Sequence, residues 1–231
     1  MNTFITHPEE GGPHPVILFY MDAPGKREEL HEMARRIGTV GYYVILPNLY
    51  YREVREFNLV RDEAGMKQMF AHMHALSIEM IMRDTQVMLD YVDADEAADA
   101  TRIGAVGYCM SGPFVTAAAK QYPERIRCAA SIYGAGMVTE REDSPHRNLD
   151  RARGELYFAC AEVDKYAPRE TIDALEVALR ASGANYRLEW YPGTEHGFAF
   201  PKRQGIFNYL AAERLWERLF SLFDRNLRAP G

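Results

Sequence analysis

The chain has 231 residues, 47% hydrophobic and 26% charged, with 27 Lys and Arg against 33 Asp and Glu for a formal charge of −6. These proportions exclude disorder and collagen-like repetition, and they fit one soluble domain with a sizeable core more readily than two small ones. The acidic balance argues against a nucleic-acid binder, which would carry a basic stripe, and no apolar run approaches the roughly 20 residues that span a bilayer.

The N-terminal MNTFITHPEE lacks the cationic and apolar pattern of a secretory leader, so the expected compartment is the cytoplasm. A weak strand signal at 3–6 is followed by an apolar run at 16–20, a helical stretch at 26–37 and a second apolar run at 42–46. The next strand does not come until 103–108, so the interval must hold extra structure. Its second half, 78–92, reads as a crossover helix, and 63–76 reads as an additional methionine-rich helix; together they predict a helical insertion or lid at about residues 50–95. Methionine there is read as packing, because its flexible side chain fills gaps. Further on come a helix at 111–121, strands at 128–133 and 156–160, a helix at 168–181, a strand at 186–191 and a helix at 205–227. Pro168 opens one of these helices and Gly183 follows its end, as the asymmetry of helix termini requires. Pro230 and Gly231 read as a frayed tail. Short apolar runs alternating with amphipathic stretches predict an α/β fold over residues 1–231 as a single domain, a mostly parallel twisted sheet with helices on both faces.

Three cysteines, at 109, 128 and 160, are neither a disulfide framework nor a zinc spacing. Cys128 and Cys160 fall inside apolar strands and read as core. Cys109 differs. It sits in Gly107-Tyr-Cys-Met-Ser-Gly112, where an apolar strand enters a turn of small residues and a helix follows. That is the pattern of a nucleophile elbow, in which small neighbours let the backbones pass closely while the nucleophile projects. The following helix N-terminus stabilises a thiolate, and the Met110 N–H is the first oxyanion donor.

A thiol needs a base or a local field to become a nucleophile. In α/β-hydrolases the order is nucleophile, acid, histidine. Only His146 and His196 lie downstream of Cys109. His196 follows a strand end and is the expected base, whereas His146 lies in a polar stretch and reads as a solvated loop residue. The strand at 156–160 runs into Glu162 and Asp164, of which Asp164 is the expected orienter and Glu162 the alternative. The strand at 16–20 runs into Met21-Asp22-Ala-Pro-Gly25, where a hydrolase supplies its second oxyanion donor; a backbone N–H of Asp22 or Ala23 is the candidate. His72 and His74 suggest a metal pair, but residues two apart on a helix point to different faces, so no metal is expected.

These residues together resemble the dienelactone hydrolase family of α/β-hydrolases over nearly the whole chain. The specific matches are Gly107-Tyr-Cys-Met-Ser-Gly112, the Asp164 loop, His196-Gly-Phe198, and the pairing of Met21-Asp22-Ala-Pro-Gly25 with Leu46-Pro-Asn-Leu-Tyr50. The resemblance implies a triad of Cys109, His196 and Asp164, and places Asp22 where an acidic residue, usually glutamate, contacts and switches the thiol. It implies hydrolysis of a small-molecule ester or lactone with no cofactor, and a homo-oligomer is compatible with it. Two departures bear on the substrate. Phe200 stands where the family carries a carboxylate-binding arginine after the histidine. In the inserted helix Met66, Lys67 and Phe70 are the nearest matches to a second one. Phe200, Lys67 and Phe70 are thus the expected substrate-binding residues, and the expected substrate is larger or more apolar than a dicarboxylic dienelactone. A catalytically silent binding module that keeps the elbow for structure is the alternative; a nucleotide-binding domain is weak, since no GxGxxG is formed.

Overall fold

The computed structural model describes residues 1–228, so the expected tail at Pro230 and Gly231 lies outside the described residues. The strands are β1 (Thr3–Thr6), β2 (His14–Tyr20), β3 (Tyr43–Pro47), β4 (Ala98–Tyr108), β5 (Ile126–Ile132), β6 (Glu155–Val163) and β7 (Tyr186–Glu195). They form one sheet in the order β1-β3-β2-β4-β5-β6-β7, parallel throughout except for β1, which pairs antiparallel with β3 at the edge. The helices are α1 (Glu28–Thr39), α2 (Glu63–His74), α3 (Ile78–Ala94), α4 (Gly112–Gln121), α5 (Arg169–Ser182) and α6 (Tyr209–Leu227).

Strands β2 and β3 are buried along their whole length, which explains why they read as continuous apolar runs rather than alternating ones. One face of the sheet is covered by α1 and α6, which meet through Arg36, paired with Glu213 at 2.8 Å and lying over the Trp216 ring. The other face is covered by α3, α4 and α5. Helix α6 buries Ala212, Leu215, Trp216, Leu219, Leu222 and Phe223, a stripe at helical spacing. Each of the leucines and Phe223 contributes about 1.5–3 kcal/mol on burial.

The elements match the expected ones in kind, and the boundaries differ for local reasons. Strand β4 starts at Ala98 because polar residues, Asp99 and Thr101 among them, continue the strand beside His14 and Pro15 across a bulge. Strand β7 runs through Pro192 and Gly193 to Glu195, because a second bulge restores pairing between Val163 and Glu195. Helix α6 begins four residues later than its periodicity suggests, where the Asn208 side chain caps the Ala211 N–H at 3.1 Å. The inserted segment contains α2 as an extra helix and α3 as the crossover into β4. Because β3 and β4 lie on opposite sides of β2, the chain reverses its direction of winding there, and the loops after β2 and β4 open side by side at the carboxyl edge of the sheet.

Candidate active site

Strand β4 is buried from Ile103 to its end at Tyr108 and is followed by Cys109, whose φ is +56°. A side chain in the left-handed region costs about 1–2 kcal/mol, so the surroundings must hold it there. The Ala135 N–H donates to the Cys109 carbonyl at 3.0 Å, and the Ser111 hydroxyl donates to the Met21 carbonyl at 2.5 Å, tying the elbow to the loop after β2. Gly107 is required by close approach: a Cβ there would stand 2.6 Å from the Ser111 carbonyl oxygen and 2.8 Å from Val115. One turn of 3-10 helix over Cys109–Ser111 feeds α4, so the sulfur stands at the start of a helix.

His196 directly follows β7, and its Nδ1 is 2.7 Å from Asp164 Oδ2, with both side chains buried. The other carboxylate oxygen of Asp164 accepts from the Tyr166 and Ala167 N–H groups at 2.9 and 3.1 Å. Glu162 is elsewhere: it is exposed and accepts from the Gly193 N–H at 2.5 Å. His196 Nε2 is buried without a hydrogen-bond partner in a cavity that Cys109 also lines. Burial disfavours the imidazolium, but the Asp164 hydrogen bond, followed by the Cys109 sulfur, favours it more, and the pKa is pushed up to about 9. His146 is not a fully solvated residue; it is half-buried, 2.8 Å from the Ser144 hydroxyl. Cys128 and Cys160 are core residues, and burial pushes the Cys160 thiol up to about 12.

The loop after β2 lines the same cavity through Asp22 and Ala23. Asp22 is buried, and Arg27 grips it with Nη1 on Oδ1 at 2.5 Å and Nη2 on Oδ2 at 3.2 Å, while also bonding Glu29. Burial pushes the Asp22 carboxyl up, with Arg27 pulling the other way. The Tyr50 hydroxyl donates to the Ala23 carbonyl at 2.8 Å and lies 3.4 Å from Met110 Sδ. Tyr50 thereby joins the loop after β3 to both candidate oxyanion segments.

The cavity, about 110 Å³, is closed on the far side by α2, which contributes Met66, Met69, Phe70 and Met73. Those positions are i, i+3, i+4 and i+7, one face of the helix. Lys67, expected among the substrate-binding residues, is off that face, exposed and outside the cavity lining. Phe70 and Phe200 do line the cavity, Phe200 with only 1% of its surface exposed. Two arginines stand at positions the sequence pattern does not mark. Arg61, just ahead of α2, and Arg203 line both the cavity and an adjoining groove of about 260 Å³ that also contains Lys202 and Arg27. Arg203 folds back because Gly197, at φ +91°, leaves room where a Cβ would strike its guanidinium, and Arg203 Nη1 donates to the His196 carbonyl at 3.0 Å. Arg61 and Arg203 thus stand beside the apolar residues of the cavity, in addition to the expected Phe200 and Phe70. The two histidines of α2 diverge: His72 pairs with Glu53 at 2.5 Å, and His74 stacks on Phe70.

The sequence profile of the dienelactone hydrolase family matches residues 1–227. The chain belongs to that family. A Synechocystis relative, provisionally named a carboxymethylenebutenolidase, is 24% identical over 97% of this chain and 92% of its own length. An Escherichia coli K12 relative of the same provisional name is 26% identical over 94% of this chain and 79% of its own. Among solved structures, a provisionally assigned dienelactone hydrolase from Klebsiella pneumoniae superposes with a TM-score of 0.87 at 21% identity, over 96% of this chain and 92% of that one. A dienelactone hydrolase-like promiscuous phosphotriesterase from metagenomic libraries gives 0.81 at 19% identity, over 98% of this chain and 92% of that one. The fold is the α/β-hydrolase fold. No helix among the described residues is long and apolar enough to cross a membrane.

Proposed function

We propose that this family member hydrolyses a carboxylic ester or lactone bond of a small molecule through Cys109, with His196 as proton carrier and Asp164 as its orienter. The observation that carries this reading is convergence: the elbow cysteine and His196 line one cavity, and the buried Asp164 holds His196 from behind, the three residues following three separate strands. The Cys109 thiolate attacks the carbonyl carbon, and the oxyanion is held by the N–H groups of Met110 and of Asp22 or Ala23. Collapse expels the alcohol oxygen, which takes a proton from His196 Nε2, and leaves a thioester. His196 then takes a proton from water as it attacks the thioester, and the thiolate departs. An imidazole with a raised pKa suits this cycle, because it holds a proton ready for the departing alcohol oxygen.

Arg61 and Arg203 define the substrate further. Both arginines line the cavity, and Arg203 donates to a backbone carbonyl rather than to a carboxylate. With the methionine face of α2 opposite, the site suits a molecule with an anionic group and an apolar body. Asp22, in this reading, is a thiol-switch residue whose carboxylate is paired with Arg27.

The test is hydrolysis of a panel of aryl esters and enol-lactones by the wild type and Cys109→Ala. The variant is expected to lose at least about 10³-fold in kcat/KM; hydrolysis at the wild-type rate would remove the triad.

A further inference from the structure

His196 has two tyrosine rings as edge-on neighbours. The Tyr133 ring centroid lies 5.0 Å from that of the imidazole at 60°, and the Tyr166 centroid 4.8 Å at 64°. Tyr133 is 1% exposed and backed by Phe198 and Tyr108 at 5.4 and 5.9 Å, whereas Tyr166 is 39% exposed and lines the cavity.

Neither residue is placed there by secondary structure alone. Tyr133 follows β5 with φ +37°, outside the regions an aromatic residue ordinarily adopts, and its N–H donates to the Ala159 carbonyl at 2.7 Å. Backbone strain of this kind concentrates at functional sites. Two residues on, the Ala135 N–H holds the Cys109 carbonyl, so one short loop touches both the base and the nucleophile. Tyr166 has a matching double contact: its N–H holds Asp164 Oδ1 while its ring meets the imidazole that Asp164 Oδ2 holds.

A hydrogen bond from Nδ1 to Asp164 fixes one point of the imidazole but leaves the ring free to rock about it. Packing against two rings restricts that freedom. We infer that Tyr133 and Tyr166 clamp the plane of the His196 ring, Tyr133 as a positioning residue from the core and Tyr166 from the pocket side, so that Nε2 stays aimed at Cys109. The inference rests on His196 being the proton carrier. The ring, not the hydroxyl, of Tyr133 does this, because the hydroxyl is buried without a partner. The charged or titratable groups facing the imidazole are Asp164, Cys109 and the two phenols; Arg203 meets only its backbone carbonyl, and Lys165 lies 5.0 Å over the Tyr166 ring.

The test uses Tyr133→Phe, Tyr133→Leu and Tyr166→Leu in the full chain. Each is followed by kcat and KM on an aryl ester and by proton NMR titration of the His196 ring, assigned by its loss in His196→Gln. Tyr133→Phe should keep kcat within about twofold and melt no lower than the wild type, since it removes an unsatisfied hydroxyl. Tyr133→Leu and Tyr166→Leu should each lower kcat about 10- to 100-fold with KM nearly unchanged, and should lower the titration midpoint of His196 as its alignment with Asp164 loosens. Wild-type kcat and an unshifted midpoint in Tyr166→Leu would overturn the clamp, whether or not Tyr133→Leu folds; so would a Tyr133→Phe variant as impaired as Tyr133→Leu. Because the midpoint is read without substrate, loss of the clamp is distinguishable from a failure of the cysteine mechanism, which Cys109→Ala reports.

Discussion

One wall of the cavity is made of strand ends and the other of a single helix. On the sheet side, Cys109, Asp164 and His196 follow β4, β6 and β7, and each is fixed by at least one backbone or side-chain hydrogen bond. On the helix side, Met66, Met69, Phe70 and Met73 present unbranched or aromatic side chains with no polar group to fix them. Chemistry tolerates misplacement of a fraction of an ångström poorly, whereas recognition of an apolar body tolerates it well. On the proposed function, the difference puts kcat on the sheet wall and KM, with substrate breadth, on the helix wall and the arginines beside it.

The largest effect is expected on the sheet side. Asp164→Asn should lower kcat by about 10²- to 10⁴-fold, because Nδ1 loses the acceptor that fixes its tautomer. It should also move the basic limb of the pH–rate profile down from the region of 9, since Asp164 is a principal cause of the raised pKa of His196. A raised histidine pKa adds stability that is fully present below about 6.5 and is lost as pH rises through 9. The wild type should therefore exceed Asp164→Asn in urea-melt stability by up to about 3 kcal/mol at pH 6, a margin that shrinks by pH 9.5.

At the junction of the two walls, Arg61→Met and Arg203→Met should each raise KM about 10- to 100-fold for an ester carrying a carboxylate. A neutral ester of the same size should be turned over unchanged, and equal losses on both would break the division between the walls. The smallest effect belongs to the helix. Met69→Leu and Met73→Leu conserve volume and should change kcat/KM less than about threefold on any one substrate, while steepening the preference across a series of acyl or alcohol sizes.

The two walls were also unequally legible in the sequence. The strand ends announce themselves: buried parallel strands are continuous apolar runs, and Gly107-Tyr-Cys-Met-Ser-Gly112 states a close backbone crossing in its composition. Asp164 and His196 then follow from their places after such runs. The phase of α2 was legible in principle, since Met66, Met69, Phe70 and Met73 share a face that excludes Lys67, but matching by family position alone put Lys67 on it. Arg203 was out of reach. Its approach depends on the positive φ of Gly197 and on a turn through 201–206 that no periodicity encodes. The same holds for Arg27, whose partner Asp22 lies across the turn at Gly25.

The loop after β2 has a further consequence. The carbonyls of Met21, Asp22 and Ala23 accept in turn from the Ser111 hydroxyl, the Gly25 N–H and the Tyr50 hydroxyl. Rotating either peptide unit between residues 21 and 23 would break one of these bonds in a buried setting, so the loop cannot readily turn a carbonyl toward the cavity. In the proposed mechanism, negative charge developing on a substrate oxygen would meet a backbone fixed at folding rather than one rearranged by the substrate.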